Sequence, residues 1–155
     1  MRDHEFFFSG ELAVRAFFVY VYKIYADNKQ IYYYVGRTGD NKPMQVGTPL
    51  NRIAQHLSDN INASALKRNM LEAGLDPQKS KFRYHCFGPY HPFPNTDEEH
   101  IFRRDYVSTI EFRLVKKLKA NGYNVIGKHA MRSPFEDKEI LDEIDRLYQV
   151  ITRGR

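Results

Sequence analysis

Residues 17–25 read Phe-Phe-Val-Tyr-Val-Tyr-Lys-Ile-Tyr and residues 31–36 read Ile-Tyr-Tyr-Tyr-Val-Gly, separated by Ala26-Asp27-Asn28-Lys29-Gln30. Both flanks are dense in β-branched and aromatic residues, which favour extended backbone, and the five residues between them are turn formers. The pattern predicts a β-hairpin. If the turn centres on Asn28, Tyr22 lies directly opposite Tyr34, and cross-strand partners share one face of the sheet. The period of two then puts Tyr20 and Tyr32 on that same face.

Working outward, residues 39–48 read as a loop, long for its position. Thr48-Pro49 is a helix start, with Thr as N-cap and Pro at the first helical position, for a short helix reaching about Leu57. Residues 62–73 predict a second helix closed by Gly74. Residues 82–87 are a candidate third strand, and residues 89–95 a proline-rich connection. Thr96-Asp97-Glu98-Glu99 matches a capping box and predicts a helix to about Ala120, stopped at Gly122. Ser133-Pro134-Phe135-Glu136 repeats that pattern and opens a last helix over about 134–153, whose apolar face is Ile140, Leu141, Ile144, Leu147, Tyr148 and Ile151. That face suits a core or a homodimer contact. The order implies one α+β domain over 1–155, with its core at about 17–127. Its sheet should be small, mostly antiparallel and three-stranded, flanked by helices.

Composition narrows the partner. Hydrophobic residues make up 42% of the 155, enough for a real core, and the formal charge of +5 favours a polyanion such as nucleic acid. Cys86 is the only cysteine, so neither a disulfide within the chain nor a cysteine-based zinc site is expected, and a reducing cytoplasm fits. The most apolar stretch, residues 13–21, is interrupted by Arg15 and is too short to span a bilayer, so no membrane is expected. Residues 1–5 carry mixed charges and lack the layout of a signal peptide.

Three groups of residues carry candidate chemistry. On the long predicted helix, Glu111 has Val107, Leu114, Val115 and Leu118 as its wheel neighbours. A carboxylate in an apolar stripe is costly unless paired, hydrogen-bonded or bound to a metal. It is therefore either salt-bridged at the core edge or a ligand or base in a cleft. Arg52 and His56 stand at i and i+4 and share a helix face, which is either a solvated surface or a phosphate grip beside a proton carrier. The tyrosines of the hairpin pack, or place a hydroxyl against a reacting group. Asn124, just past Gly122-Tyr123, reads most simply as a turn residue.

Taken together, these features resemble the GIY-YIG nuclease superfamily. Tyr20-Val21-Tyr22, eleven residues, then Tyr34-Val35-Gly36 and on into Gly36-Arg37-Thr38 is similar to its two strand motifs. Arg52-x-x-x-His56, Glu111 and Gly122-Tyr123-Asn124-Val125-Ile126 follow in the family's order, over about two thirds of the chain. The glycine of the first motif is replaced by Tyr20. The longer stretch from Gly36 to Arg52 and the Arg-x-x-x-His pair are closest in pattern to the restriction-endonuclease branch.

The resemblance implies a divalent-metal-dependent DNA endonuclease with one Mg²⁺ or Mn²⁺ per active site, held by Glu111. Tyr22 would be the general base or would orient the attacking water, with Tyr34 holding water or phosphate beside it. Arg52 would clamp the phosphate, His56 would hydrogen-bond the base tyrosine or relay its proton, and Asn124 would buttress the site. Lys23 and Arg37, flanking the motifs, would contact backbone phosphates of the nucleic acid. A double-strand cut would call for a homodimer or two sequential nicks. The alternatives are a non-catalytic nucleic-acid-binding module, a structural or interaction protein, and a repair or mobile-element nuclease of the same superfamily.

Overall fold

The computed structural model describes residues 5–129 and 135–154. The predicted hairpin forms with the predicted register. β1 (Ala16–Tyr25) and β2 (Ile31–Arg37) pair antiparallel, with Tyr22 opposite Tyr34 and Tyr20 opposite Gly36. The turn is closed by the Ala26 amide donating to the Gln30 carbonyl, by the Lys29 amide donating to the Ala26 carbonyl, and by Asn28 Oδ1, which accepts from the Gln30 amide at 2.9 Å. Lys29 takes the left-handed conformation there, with φ of 64°.

β3 (Lys81–Pro92) pairs antiparallel with the other edge of β1, so β1 is the centre of the sheet and is buried along nearly its whole length. β3 runs well past the predicted residues 82–87, through prolines that read as a connection. It is an edge strand in the order β3-β1-β2-β4, and an edge strand tolerates a missing N–H on its open side. A shift in register falls between Phe17 and Val19, where β3 turns through Gly88-Pro89. A fourth strand, β4 (Asn124–Val125), pairs parallel to β2, with Asn124 opposite Tyr32. The sheet is mostly antiparallel, as expected, but four-stranded rather than three-stranded, with one short parallel edge. A two-residue strand carries no periodicity by which a sequence could announce it.

Four α-helices are seen among the described residues: α1 (Pro49–His56), α2 (Ala65–Glu72), α3 (Asp97–Ala120) and α4 (Lys138–Thr152). Thr48 caps α1 as expected, its Oγ1 accepting from the Asn51 amide at 3.1 Å. Ser64 caps α2, which starts three residues later than the predicted residue 62 because Ser64, not Asn62, holds the first free amides. Thr96 caps α3, accepting from the Glu99 amide, while the Glu99 carboxylate reaches back one residue beyond the usual partner, to the Asn95 amide at 2.8 Å. α3 ends before Gly122, whose φ is +77°. α4 begins later than the predicted 134. Its cap is Asp137, Phe135 and Glu136 precede it, and Ser133 and Pro134 lie outside the described residues.

The two faces of the sheet are covered differently. Phe17, Val19, Val21, Tyr33 and Val35 pack on Val107, Ile110, Leu114 and Leu118 of α3 and on Ile140, Ile144, Leu147 and Ile151 of α4. The apolar face of α4 is therefore largely spent on the core of its own chain, although Leu141 is exposed. The other face presents Tyr20, Tyr22, Ile24 and Tyr34 to Leu66, Met70 and Leu75, on and just after α2. No helix among the described residues is long and apolar enough to cross a membrane.

Candidate active site

On the tyrosine face a cleft of about 380 Å³ opens between the β1–β2 hairpin, α1, the start of α2 and the middle of α3. Tyr20 and Tyr34 reach it from the strands, Arg52 and His56 from α1, Arg68 from α2, and Glu111 from α3. Arg37 enters from the end of β2 and Asp40 from the loop that follows.

The i, i+4 spacing on α1 does what the sequence suggested, aligning Arg52 and His56 on one face. His56 is buried, 4% exposed. Its Nδ1 accepts from the Leu66 amide at 3.4 Å, which leaves the proton of the neutral ring on Nε2, 2.7 Å from the Tyr20 hydroxyl. Burial, reinforced by Arg52 and Arg68, pushes the imidazole down to about 4, so the ring is neutral near pH 7. Tyr34 is pushed up to about 12, by burial first and by the Glu111 carboxylate second, with Arg52 and Arg68 opposing. Tyr20 is raised well above its ordinary value by burial, then by Tyr34, with Arg52 opposing and Glu111 adding to the rise. The phenols, the guanidinium and the acid thus lie within one another's electrostatic reach.

Glu111 escapes the apolar stripe of α3 by pairing. Its Oε2 is 3.1 Å from Arg37 Nε, and its Oε1 is 4.0 Å from Nε2 of His129, a ring that also hydrogen-bonds the Val35 carbonyl at 2.8 Å. Burial raises the carboxyl above the usual range, and Arg37 and His129 only partly offset that rise. Arg52 is paired with Asp40 and donates to Gln55 Oε1 at 2.9 Å, while its buried Nε has no acceptor among the described residues. Arg68 has no acidic partner among the described residues and donates to the carbonyls of Ile61 and Asn62. Three guanidiniums against two carboxylates leave the cleft with a net positive field suited to a phosphate.

Of the residues singled out from sequence, Tyr34, Arg37, Arg52, His56 and Glu111 line this cleft. Tyr22 does not. It shares the face, but its ring is packed against Tyr84, Phe82 and His56, with its hydroxyl free of any partner among the described residues. Lys23 is also elsewhere. It is fully buried on the opposite face, its Nζ near the rings of Tyr25 and Tyr33, and as placed it cannot touch a nucleic-acid backbone. Alternation along β1 groups Lys23 with Val19 and Val21, and β1 is covered on both faces. Arg37 meets the cleft itself rather than flanking it, held by Glu111, the Gly39 carbonyl and Asn41. Asn124 lies at a separate shallow depression with Lys29, Gln30 and Tyr123, its side-chain amide donating to the Ile31 carbonyl at 3.3 Å.

The sequence did not mark Tyr20, Asp40 or Arg68 as cleft residues, nor His129, which does not line the cleft but stands against Glu111. The register of the hairpin already held the signal for Tyr20, since it faces Gly36 on the same side as Tyr34. The other three stand on the loop after β2, on α2 and on the stretch between β4 and α4, and nothing local marks them. Comparisons of the chain with protein-family models, with curated proteins and with solved structures return no match.

Proposed function

We propose that this chain is a divalent-metal-dependent endonuclease that hydrolyses DNA phosphodiester bonds, with a GIY-YIG-like core closest in pattern to restriction-type enzymes. The observation that carries the reading is the gathering of Tyr34, Arg52, His56 and Glu111, from two helices and a strand far apart in sequence, around one positively charged cleft. A binding surface alone has no use for a desolvated carboxylate facing phosphate-gripping arginines.

The donor set fits a hard cation. Glu111 offers hard carboxylate oxygens at the cleft wall, one paired with Arg37, which suits a Mg²⁺ or Mn²⁺ that keeps most of its waters and shares the substrate's phosphate. Bound there, such an ion would neutralise the phosphate and ease departure of the leaving oxygen. The protein's own groups would do the rest. Arg52 would grip a non-bridging oxygen, exchanging its contact with Asp40 for the substrate. Arg68 would add positive charge on the opposite wall. Tyr34, protonated at neutral pH, would donate a hydrogen bond to a phosphate oxygen. His56, neutral and fixed by the Leu66 amide, would orient a phenol rather than carry charge.

A second reading, a nucleic-acid-binding module without chemistry, draws on the ion pair between Glu111 and Arg37, which already gives the acid a partner within the chain. Supercoiled plasmid incubated with the protein in Mg²⁺ or in EDTA separates the two. The nuclease reading expects nicked and linear DNA in Mg²⁺ only. The binding reading expects salt-sensitive retardation and intact plasmid under both conditions.

A further inference from the structure

We propose that the phenol working beside Tyr34 in this cleft is Tyr20, from the position where the resembled motif carries glycine, and that His56 aims its hydroxyl at a phosphate oxygen. This rests on the nuclease reading only for the identity of the phosphate, a phosphodiester of DNA.

Three independent features of the geometry converge on Tyr20. First, it lines the cleft, and Tyr22, the tyrosine that the motif points to, does not. Second, its hydroxyl has one partner, His56 Nε2 at 2.7 Å, whereas the Tyr22 hydroxyl is sealed among aromatic rings with none among the described residues. Third, the sheet makes room for it. Tyr20 lies opposite Gly36, and a Cβ at Gly36 would sit 2.5 Å from the end of the Tyr20 ring and 2.6 Å from its hydroxyl. The glycine of the second motif is thus the floor on which this phenol lies, and any side chain there would evict it.

The tautomer of His56 sets the direction of the hydrogen bond. Nδ1 accepts from the Leu66 amide, so Nε2 carries the proton and donates to Tyr20 Oη. Tyr20 keeps its own proton, and although the residue is only 2% exposed it lines the cleft, toward which that proton can be donated. Burial keeps the phenol protonated, which fits a donor to a phosphate oxygen and not a base. The chain Leu66 N–H to His56 to Tyr20 to phosphate passes polarisation without moving a proton. Tyr22 is left with a packing role, filling the space between Tyr84, Phe82 and His56.

Tyr20→Phe and Tyr22→Phe, each keeping the ring and losing only the oxygen, are compared with the unaltered protein in two measurements. One is kcat for Mg²⁺-dependent plasmid cleavage. The other is the affinity for inorganic phosphate, followed by NMR of the histidine rings. Tyr20→Phe is expected to lower kcat about 10²-fold and to weaken phosphate about tenfold, as for loss of one donor to a charged group, with a melting temperature lower by a few degrees because His56 Nε2 loses its acceptor. Tyr22→Phe should stay within threefold in both. Gly36→Ala, if it folds, should match Tyr20→Phe. Phosphate affinity that falls with Tyr22→Phe, or with neither variant, overturns the assignment of Tyr20. An unaltered protein that cuts no plasmid but binds phosphate in a Tyr20-dependent way refutes the nuclease reading and sustains the assignment.

Discussion

The two faces of the central strand do opposite work. Toward α3 and α4, β1 sends Phe17, Val19 and Val21 into a closed layer of aliphatic side chains. Toward α1 and α2 it sends Tyr20 and Tyr22 into a layer of rings whose hydroxyls, imidazole and guanidiniums are only partly satisfied. The first face is built by excluding water, and its energy scales with the apolar area it hides. The second keeps polar atoms out of water at a cost. Buried polar atoms without a partner among the described residues occur on both faces, Lys23 Nζ for one, so it is the open, positively charged cleft that marks the tyrosine face as the candidate working one.

A pair of substitutions, one per face, should pull these roles apart. Arg52→Ala is expected to reduce cleavage by about 10²–10³-fold while changing stability by less than about 1 kcal/mol, since Arg52 is a cleft group paired with a half-exposed Asp40. Leu118→Ala, at a fully buried position two turns along α3 from Glu111, should cost about 2–5 kcal/mol of stability, with cleavage per folded molecule unchanged. Urea unfolding and initial cleavage rates read both quantities. If Arg52→Ala proves mainly a folding defect, the division between the faces is lost.

A smaller effect should follow pH. The His56 ring is held near 4 in the folded chain, against an ordinary value of about 6.5 in the unfolded one. Between those values the unfolded chain binds a proton that the folded chain refuses, so stability should fall as pH drops from about 6.5 to about 4. Above about 6.5 both states hold a neutral ring, and this group contributes no slope. Denaturant midpoints across that window, compared with those of His56→Gln, test it. An equal slope in the variant would assign the acid sensitivity to other groups.

How much of this was legible in the sequence follows from how local each signal is. The hairpin, its register and the caps Thr48 and Thr96 are written within a few residues, and they formed as read. Arg52, His56 and Glu111 were found because helix periodicity places side chains on a face, and each proved to face the cleft. The extension of β3 through its prolines depended on that strand being an edge, and β4 on the return of the chain after α3, neither of which is local information. Lys23 and Tyr22 were misplaced for one reason. Their chemistry argued for solvent or substrate, yet β1 is covered on both sides, and only the tertiary structure says so. Tyr20 is the converse case, a residue discounted as a motif substitution that the fold brings to the cleft wall.

Glu111 is where the account is most exposed. The direct measurement is relaxation of supercoiled plasmid in Mg²⁺ by the unaltered protein and by Glu111→Ala at equal concentration, alongside duplex binding in EDTA. Cleavage is expected only from the unaltered protein, at least about 10³-fold faster, with duplex binding by Glu111→Ala equal or tighter because Arg37 is released. Cleavage by Glu111→Ala in Mg²⁺ at close to the unaltered rate would contradict it.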